Sequence, residues 1–441
     1  MKAKIMYLFK YTKAFIVLIL VFNIGLYLAC SFNSKLIKKN VKESQAILYK
    51  EGMFYNISDL LNIRADNSAD ALMINECYSV DSSNPYESYM KVRKNYRKNK
   101  KLYQYEETVG ELNTYVEEVD EESDEYYNTI NELGDFLDGK IHSYINYGRY
   151  WHGYLIFLRP LLMLFNIIQI RHILLLVFIA LYIYLLYLLH KEFGKNITII
   201  FGVSLLCSGY FSASYILEVA PVFLITIISS IILIKRIDKI KDFYLYMFIV
   251  ASITNYFDYL TVPLITLGIP CAIYIIKLLK EGKDWKYCTK FLIINSIVWV
   301  ISYATTWIFK WLQYDLTIND GNSMIQIGFG QAKFRMQRVN EAIGSNVSYI
   351  PIIAKIIGKS LIYVTITIII IILTNKSQPK IKKETKNYIP FLILAIYPIV
   401  WFIALANHTI LHSYFTYRNV LLFMIGILLA INEFLFSKNN D

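Results

Sequence analysis

His172–His190 reads HILLLVFIALYIYLLYLLH, a run with no Asp, Glu, Lys or Arg in it. At the α-helical rise of about 1.5 Å per residue, such a run matches the hydrocarbon thickness of a bilayer. Working outward, similar stretches recur near residues 13–31, 197–214, 217–234, 243–257, 262–279, 290–309, 350–374, 388–406 and 418–436. The pattern predicts an all-α integral membrane protein with about ten transmembrane helices and a mainly helical outer segment between the first and second spans.

Composition agrees. The 441 residues are 56% hydrophobic and 18% charged, too apolar for a fully solvated surface. The net charge of +11 does not point to nucleic acid, because the Lys and Arg residues mostly sit in short loops between apolar runs. The loops expected on the N-terminal side are the basic ones: the N-terminus, His190–Lys195, Lys235–Lys241, Lys277–Lys290 and Lys376–Lys386. An even number of spans with this bias predicts a multi-pass plasma-membrane protein with both termini cytoplasmic.

The expected organisation is residues 1–31 as cytoplasmic tail and first span, 32–150 as an extracytoplasmic segment, 151–171 as an amphipathic interfacial helix, 172–436 as the polytopic bundle, and 437–441 as a cytoplasmic tail. Lys2, Lys4, Lys10 and Lys13 before Ala14–Ala29 suit a signal sequence or an uncleaved anchor, and the many later spans favour the anchor. In the outer segment a basic run, Lys91–Lys101, precedes an acidic one, Glu106–Glu125; these read as a facing helical pair or as solvated faces. Few Pro or Gly interrupt the segment, so helices are expected there. The five Cys residues are scattered and form no CxxC pair.

Ionisable residues at the ends of spans are costly and often face a cavity. On the expected outer side stand Asp66 and Asp70 in RADNSADALM, His152 and Arg159 in YWHGYLIFLRP, Glu218 in SxxYxxExxP (Ser212–Pro221), and Asp258 in NYFDYLTVP. Asn407, His408, His412, Tyr417 and Arg418 belong to NHTILHSYFTYR. Two His four residues apart share a helix face, and an Arg at headgroup depth suits a lipid-linked phosphate. A helical Asp66/Asp70 pair suits a general base or a cation site, and Asp at such positions also serves as a helix cap. Glu218 and Asp258 read equally as an interface marker and a cap. No HExxH, P-loop or GxGxxG is present, and no metal ligand set is assigned.

These motifs and their order resemble the GT-C superfamily of integral membrane glycosyltransferases, over nearly the whole chain. The resemblance implies transfer of a sugar from a polyprenyl-phosphate donor to a glycan, lipid or protein acceptor on the outer face of the membrane, among membrane lipids and without nucleic acid. It implies a base at Asp66 or Asp70, with His408, His412 and Arg418, beside Tyr417, around the donor phosphate; His152, Arg159, Glu218, Asp258 and Asn407 are further cavity candidates. No cofactor is required, and a divalent cation is compatible with the acidic residues. The chain departs from the family pattern in lacking an acidic pair directly after the first span. Two other classes share the composition: a transporter or flippase for a lipid-linked glycan, whose charges would lie at mid-membrane depth, and a non-catalytic membrane assembly protein.

Overall fold

Lys2–Ser31 forms one continuous helix, α1, in the computed structural model, which describes residues 2–58, 63–96, 114–115, 128–337, 349–374 and 386–435. Most of the acidic run Glu106–Glu125, the end of the basic run Lys91–Lys101 and the tail 437–441 lie outside the described residues.

The segment after α1, the expected outer segment, carries helices α2 (Lys38–Glu51), α3 (Asn67–Tyr78), α4 (Pro85–Lys91) and α5 (Thr129–Leu137). Three of them start where the sequence offers a cap: the side chains of Asp66, Asn84 and Asn128 accept first-turn N–H groups of α3, α4 and α5. Short strands join the helices. β1 (Asn56–Ser58) pairs antiparallel with β2 (Ile63–Arg64); β3 (Arg93–Asn95), β4 (Thr114–Tyr115) and β5 (Tyr144–Asn146) form an antiparallel sheet with β5 central and Lys94 opposite Ile145.

The stretch expected as one interfacial helix is shorter and ends in a break. α6 covers Leu155–Leu164; Phe165 is extended, and Asn166 starts α7 (Ile167–Phe193) through a reciprocal capping box with Gln169. The second expected span therefore begins at Ile167, not His172. The bundle continues with α8 (Lys195–Cys207), α9 (Ala220–Lys235), α10 (Phe243–Phe257), α11 (Leu264–Lys280), α12 (Trp285–Thr317), α13 (Met324–Met336), α14 (Tyr349–Thr374), α15 (Ile389–Ala404), the short α16 (Ala406–Leu411) and α17 (Ser413–Thr416), and α18 (Leu421–Leu435).

Among the described residues, six helical stretches are long and apolar enough to cross a membrane: Phe9–Ser31, Ile167–Phe193, Lys195–Tyr215, Trp285–Thr317, Ile353–Thr374 and Ser413–Leu435. The other four expected spans are the helices α9, α10, α11 and α15, of 16, 15, 17 and 16 residues, below the ~20 of a full crossing. Helix length and composition thus mark six crossings. Each short helix meets a break in the helical chain at one end: Glu218 before α9, Asp258–Pro263 between α10 and α11, and Leu405 after α15. Leu176, Ile183, Val300, Ile362 and Leu373 point outward from the long helices, a surface that suits lipid and not water.

One buried apolar cluster runs from α1 through the outer segment into the bundle. α12 is the main connector, because 33 residues span about 50 Å, well beyond a bilayer core of about 30 Å. Its later turns grip the outer segment: Trp151 Nε1 donates to the Thr306 carbonyl at 3.0 Å, and the buried Lys310 ammonium donates to the Tyr89 carbonyl at 3.0 Å. Gly153 lets this join close. Its N–H donates to the Tyr256 carbonyl at 3.0 Å, and a Cβ there would sit 2.5 Å from that same oxygen.

Candidate functional site

Where the start of α3, the 147–150 turn, the loops before α9 and after α10, α13 and the 408–415 segment converge, they enclose a cavity of about 310 Å³. Asp66, Glu218, Arg149, Arg335, His408 and His412 line it, with Tyr147, Tyr150, Tyr259, Tyr414 and Gln331 among the other wall residues. The volume lies at the small end of ligand pockets.

Asp66 is both cap and wall. Its Oδ1 accepts the Ala69 N–H at 3.0 Å, and the residue is 3% exposed. Burial raises its pKa above the ordinary carboxylate value; the Ala69 N–H, the Tyr414 hydroxyl, the Ser68 N–H and the Arg418 charge pull the other way. Asp70 does not line the cavity. It is paired with Arg171 at 2.8 Å and accepts the Leu217 N–H at 2.9 Å, so it anchors the chain one residue before Glu218. Arg171 also reaches Glu51 at 2.8 Å and the Asn67 side-chain oxygen at 2.6 Å. Glu218 is buried against the cavity with Oε1 lacking a hydrogen-bond partner among the described residues, a costly arrangement unless a ligand or proton fills it.

The positive wall comes from residues that the sequence reading did not single out. The Arg149 guanidinium lies 4.3 Å from the Tyr147 ring centre, and its backbone carbonyl is fixed by two indoles, Trp307 Nε1 at 2.6 Å and Trp311 Nε1 at 2.8 Å. Arg335 stacks against Tyr150 and Trp307 and donates to the Tyr150 hydroxyl; among the described residues it has no carboxylate within 4.0 Å. A guanidinium held by aromatics without an acid partner retains its charge for an anion.

His408 and His412 meet as the i, i+4 spacing predicts, with ring centres 4.8 Å apart, although the helix α16 ends at Leu411, just before His412. The Leu260 carbonyl can only accept, so the 2.8 Å contact puts a hydrogen on His408 Nε2. Burial, then the His412 and Arg335 charges, hold His408 well below the ordinary imidazole value. A neutral His408 with Nε2 engaged offers Nδ1 as an acceptor, which suits a hydroxyl donor better than an anionic oxygen. His412 stacks on Phe415 at 5.1 Å.

The remaining candidates lie behind the wall. Arg418 donates to the Tyr414 carbonyl at 3.2 Å and to Ser212 Oγ at 3.4 Å and lies over the Tyr417 ring; neither Arg418 nor Tyr417 lines the cavity. Gly209, with φ +80°, makes the turn that brings Ser212 there, and a Cβ at that position would meet Ser212 Oγ at 2.8 Å. Asp258 accepts the Thr261 N–H at 2.8 Å and hydroxyl at 2.7 Å, plus the Tyr303 hydroxyl at 2.8 Å, and so holds the loop that presents Tyr259. Asn407 donates to the Phe334 carbonyl at 3.1 Å, beside Arg335. Arg159 does not line the cavity: it donates to the carbonyls of Ala29 (2.8 Å) and Phe32 (2.7 Å) at the end of α1 and of Cys77 at the end of α3. His152 is buried directly behind Tyr259.

Among the described residues no group of three or more His, Cys, Asp and Glu is placed to hold a metal ion. No protein-family model matches this chain, and neither a curated protein nor a solved structure matches it.

Proposed function

We propose that this protein is a multi-pass membrane glycosyltransferase of GT-C-like architecture, moving a sugar from a polyprenyl-phosphate donor to an acceptor at the outer face of the plasma membrane. In this reading the short helices complete ten crossings, and both termini are cytoplasmic. The carrying observation is the meeting of the Asp66 carboxylate with Arg149, Arg335 and His412 around one cavity, although they come from distant parts of the chain.

Asp66 takes the proton of an acceptor hydroxyl. The acceptor oxygen forms its bond to the sugar's anomeric carbon as the bond from that carbon to the phosphate oxygen breaks, and polyprenyl phosphate leaves with the electron pair. Arg149, Arg335 and His412 stabilise the charge that gathers on the phosphate, and His408 accepts a sugar hydroxyl. The phosphate is a built-in leaving group, so orientation, one base and fixed cations suffice. The acceptor is a glycan, lipid or protein hydroxyl.

The test is release of radiolabelled sugar from short-chain polyprenyl-phosphate donors by the purified protein in nanodiscs. Wild type releases it and Asp66→Asn does not. Equal release by the two, or none from any such donor with membrane extract supplied as acceptor, removes the reading.

A further inference from the structure

The later turns of α12 fix the Arg149 turn; its first turns carry a feature that sugar transfer does not use. Trp285 opens the helix, about 33 Å along its axis from Trp307. There Trp285, Lys286, Thr289, Lys290, Ile293 and Ile294 line an open groove of about 390 Å³. Lys286, Lys290, Ile293 and Ile297 follow one another at helical spacing, so one face of α12 passes from ammonium groups to aliphatic side chains.

The cations at this end are free of acids. Among the described residues none of Lys283, Lys286, Lys290 and Lys386 has a carboxylate within 4.0 Å. The acidic side chains next to them in sequence are committed elsewhere: Glu281 pairs with Lys277 at 3.3 Å, and Asp284 caps α12 by accepting the Tyr287 N–H at 2.8 Å. Lys286 and Lys386 place their ammonium nitrogens 5.8 and 5.9 Å from the centre of the Trp285 ring, so the indole gathers positive charge from two separate parts of the chain. Thr289, between Lys286 and Lys290, has a hydroxyl with no hydrogen-bond partner among the described residues. Past Lys290 the same face is open and apolar: Ile293, Ile297, Val300 and Ile301 are each roughly half exposed and make a track of about 12 Å.

We propose that this groove binds one anionic phospholipid, its phosphate between Lys286 and Lys290 beside Thr289, its headgroup against Trp285, and an acyl chain along Ile293 to Ile301. Charge complementarity selects this occupant. A free phosphate would use only the lysines, a neutral lipid only the track, and an acidic peptide would leave the track uncovered. An indole at the end of an apolar helix also suits headgroup depth. The inference is independent of the transfer reading, because none of these residues lines the cavity.

The probes are dioleoyl phosphatidylglycerol and dioleoyl phosphatidylcholine, which share acyl chains and differ in net charge. Each is added to the delipidated full-length protein in neutral detergent, and bound adducts are counted by native mass spectrometry. Wild type is expected to bind the first about tenfold more tightly than the second. Lys286→Gln combined with Lys290→Gln should abolish that preference. Lys239→Gln combined with Lys241→Gln, which removes the same charge from the loop before α10, should keep it. All four lysines are exposed, so the melting midpoint without lipid should not move in either double variant. Equal binding of the two lipids by wild type, or the same loss of preference in both double variants, overturns the inference. So does displacement of phosphatidylglycerol by an equal concentration of sn-glycerol 3-phosphate, which would make the groove a site for free phosphate. None of these readings involves sugar transfer, so failure here leaves the proposed reaction standing.

Discussion

Arg171 on α7 holds Asp70 on α3 at 2.8 Å, while Asp66, which caps the same helix, has no cation within 4.0 Å among the described residues. Two carboxylates four residues apart are thereby separated into a structural one and a chemically available one. Arg171→Ala leaves Asp70 buried and unpaired and is expected to cost about 3–5 kcal/mol, read as a lower melting midpoint in detergent. Asp66→Asn preserves a good helix cap and should keep the midpoint while abolishing transfer. A matching drop in both variants would assign Asp66 to the fold alone.

Burial raises the Asp66 pKa from 3.8, so its folded-state value lies above its unfolded one. Such a group adds stability that is present below the unfolded value and is lost as pH rises through the folded value. The proposed transfer runs the other way, since a base must be ionised. The transfer rate is expected to climb with pH through a range above that of ordinary carboxylates, while the stability term from Asp66 declines over the same range. Comparing pH–rate and pH–melting profiles of wild type and Asp66→Asn checks both signs, because the Asn variant lacks the Asp66 contribution to each, while buried Asp70, raised to about 6, keeps its own melting slope in both proteins.

Arg335 is held by two aromatic faces and a tyrosine hydroxyl, a setting that a flat guanidinium fills and an ammonium does not. Arg335→Lys is expected to weaken donor binding about tenfold with a smaller change in melting midpoint. Titration with farnesyl phosphate and a melting curve separate the two effects.

Much of the architecture was legible because apolar runs report on helices directly. α1, α7, α12 and α14 coincide with the expected spans to within a few residues at one end or the other, apart from α12, which extends well past the expected 309. The site was less legible. NHTILHSYFTYR announced His408 and His412 through their spacing, but Arg418 in the same motif turns inward to Ser212 and the Tyr414 carbonyl. Arg149 and Arg335 carried no local signal: one lies in a turn whose aromatics read as an interfacial belt, the other on α13, a helix between expected spans. Their importance comes from packing against Trp307, Trp311 and Tyr150, which are remote in sequence from at least one of the two.

The indole clamp on the Arg149 carbonyl gives a further test. Trp311→Phe removes one donor and part of a buried ring system, and is expected to cost about 2–3 kcal/mol of stability. A larger fractional loss in donor affinity is expected as well, because the freed turn no longer fixes the guanidinium. Trp307→Phe should resemble it, and the double variant should exceed the sum because the carbonyl is then left unsatisfied. Melting curves and farnesyl phosphate titrations of all three give the comparison.

Because both indoles project from the single rod of α12, the position of Arg149 along the bundle is set by how many residues of that helix precede Trp307. α12 is in effect a ruler: one inserted turn before Trp307 would shift the cation by about 5.4 Å along the helix axis, and in the proposed reaction would carry it away from a lipid-linked phosphate.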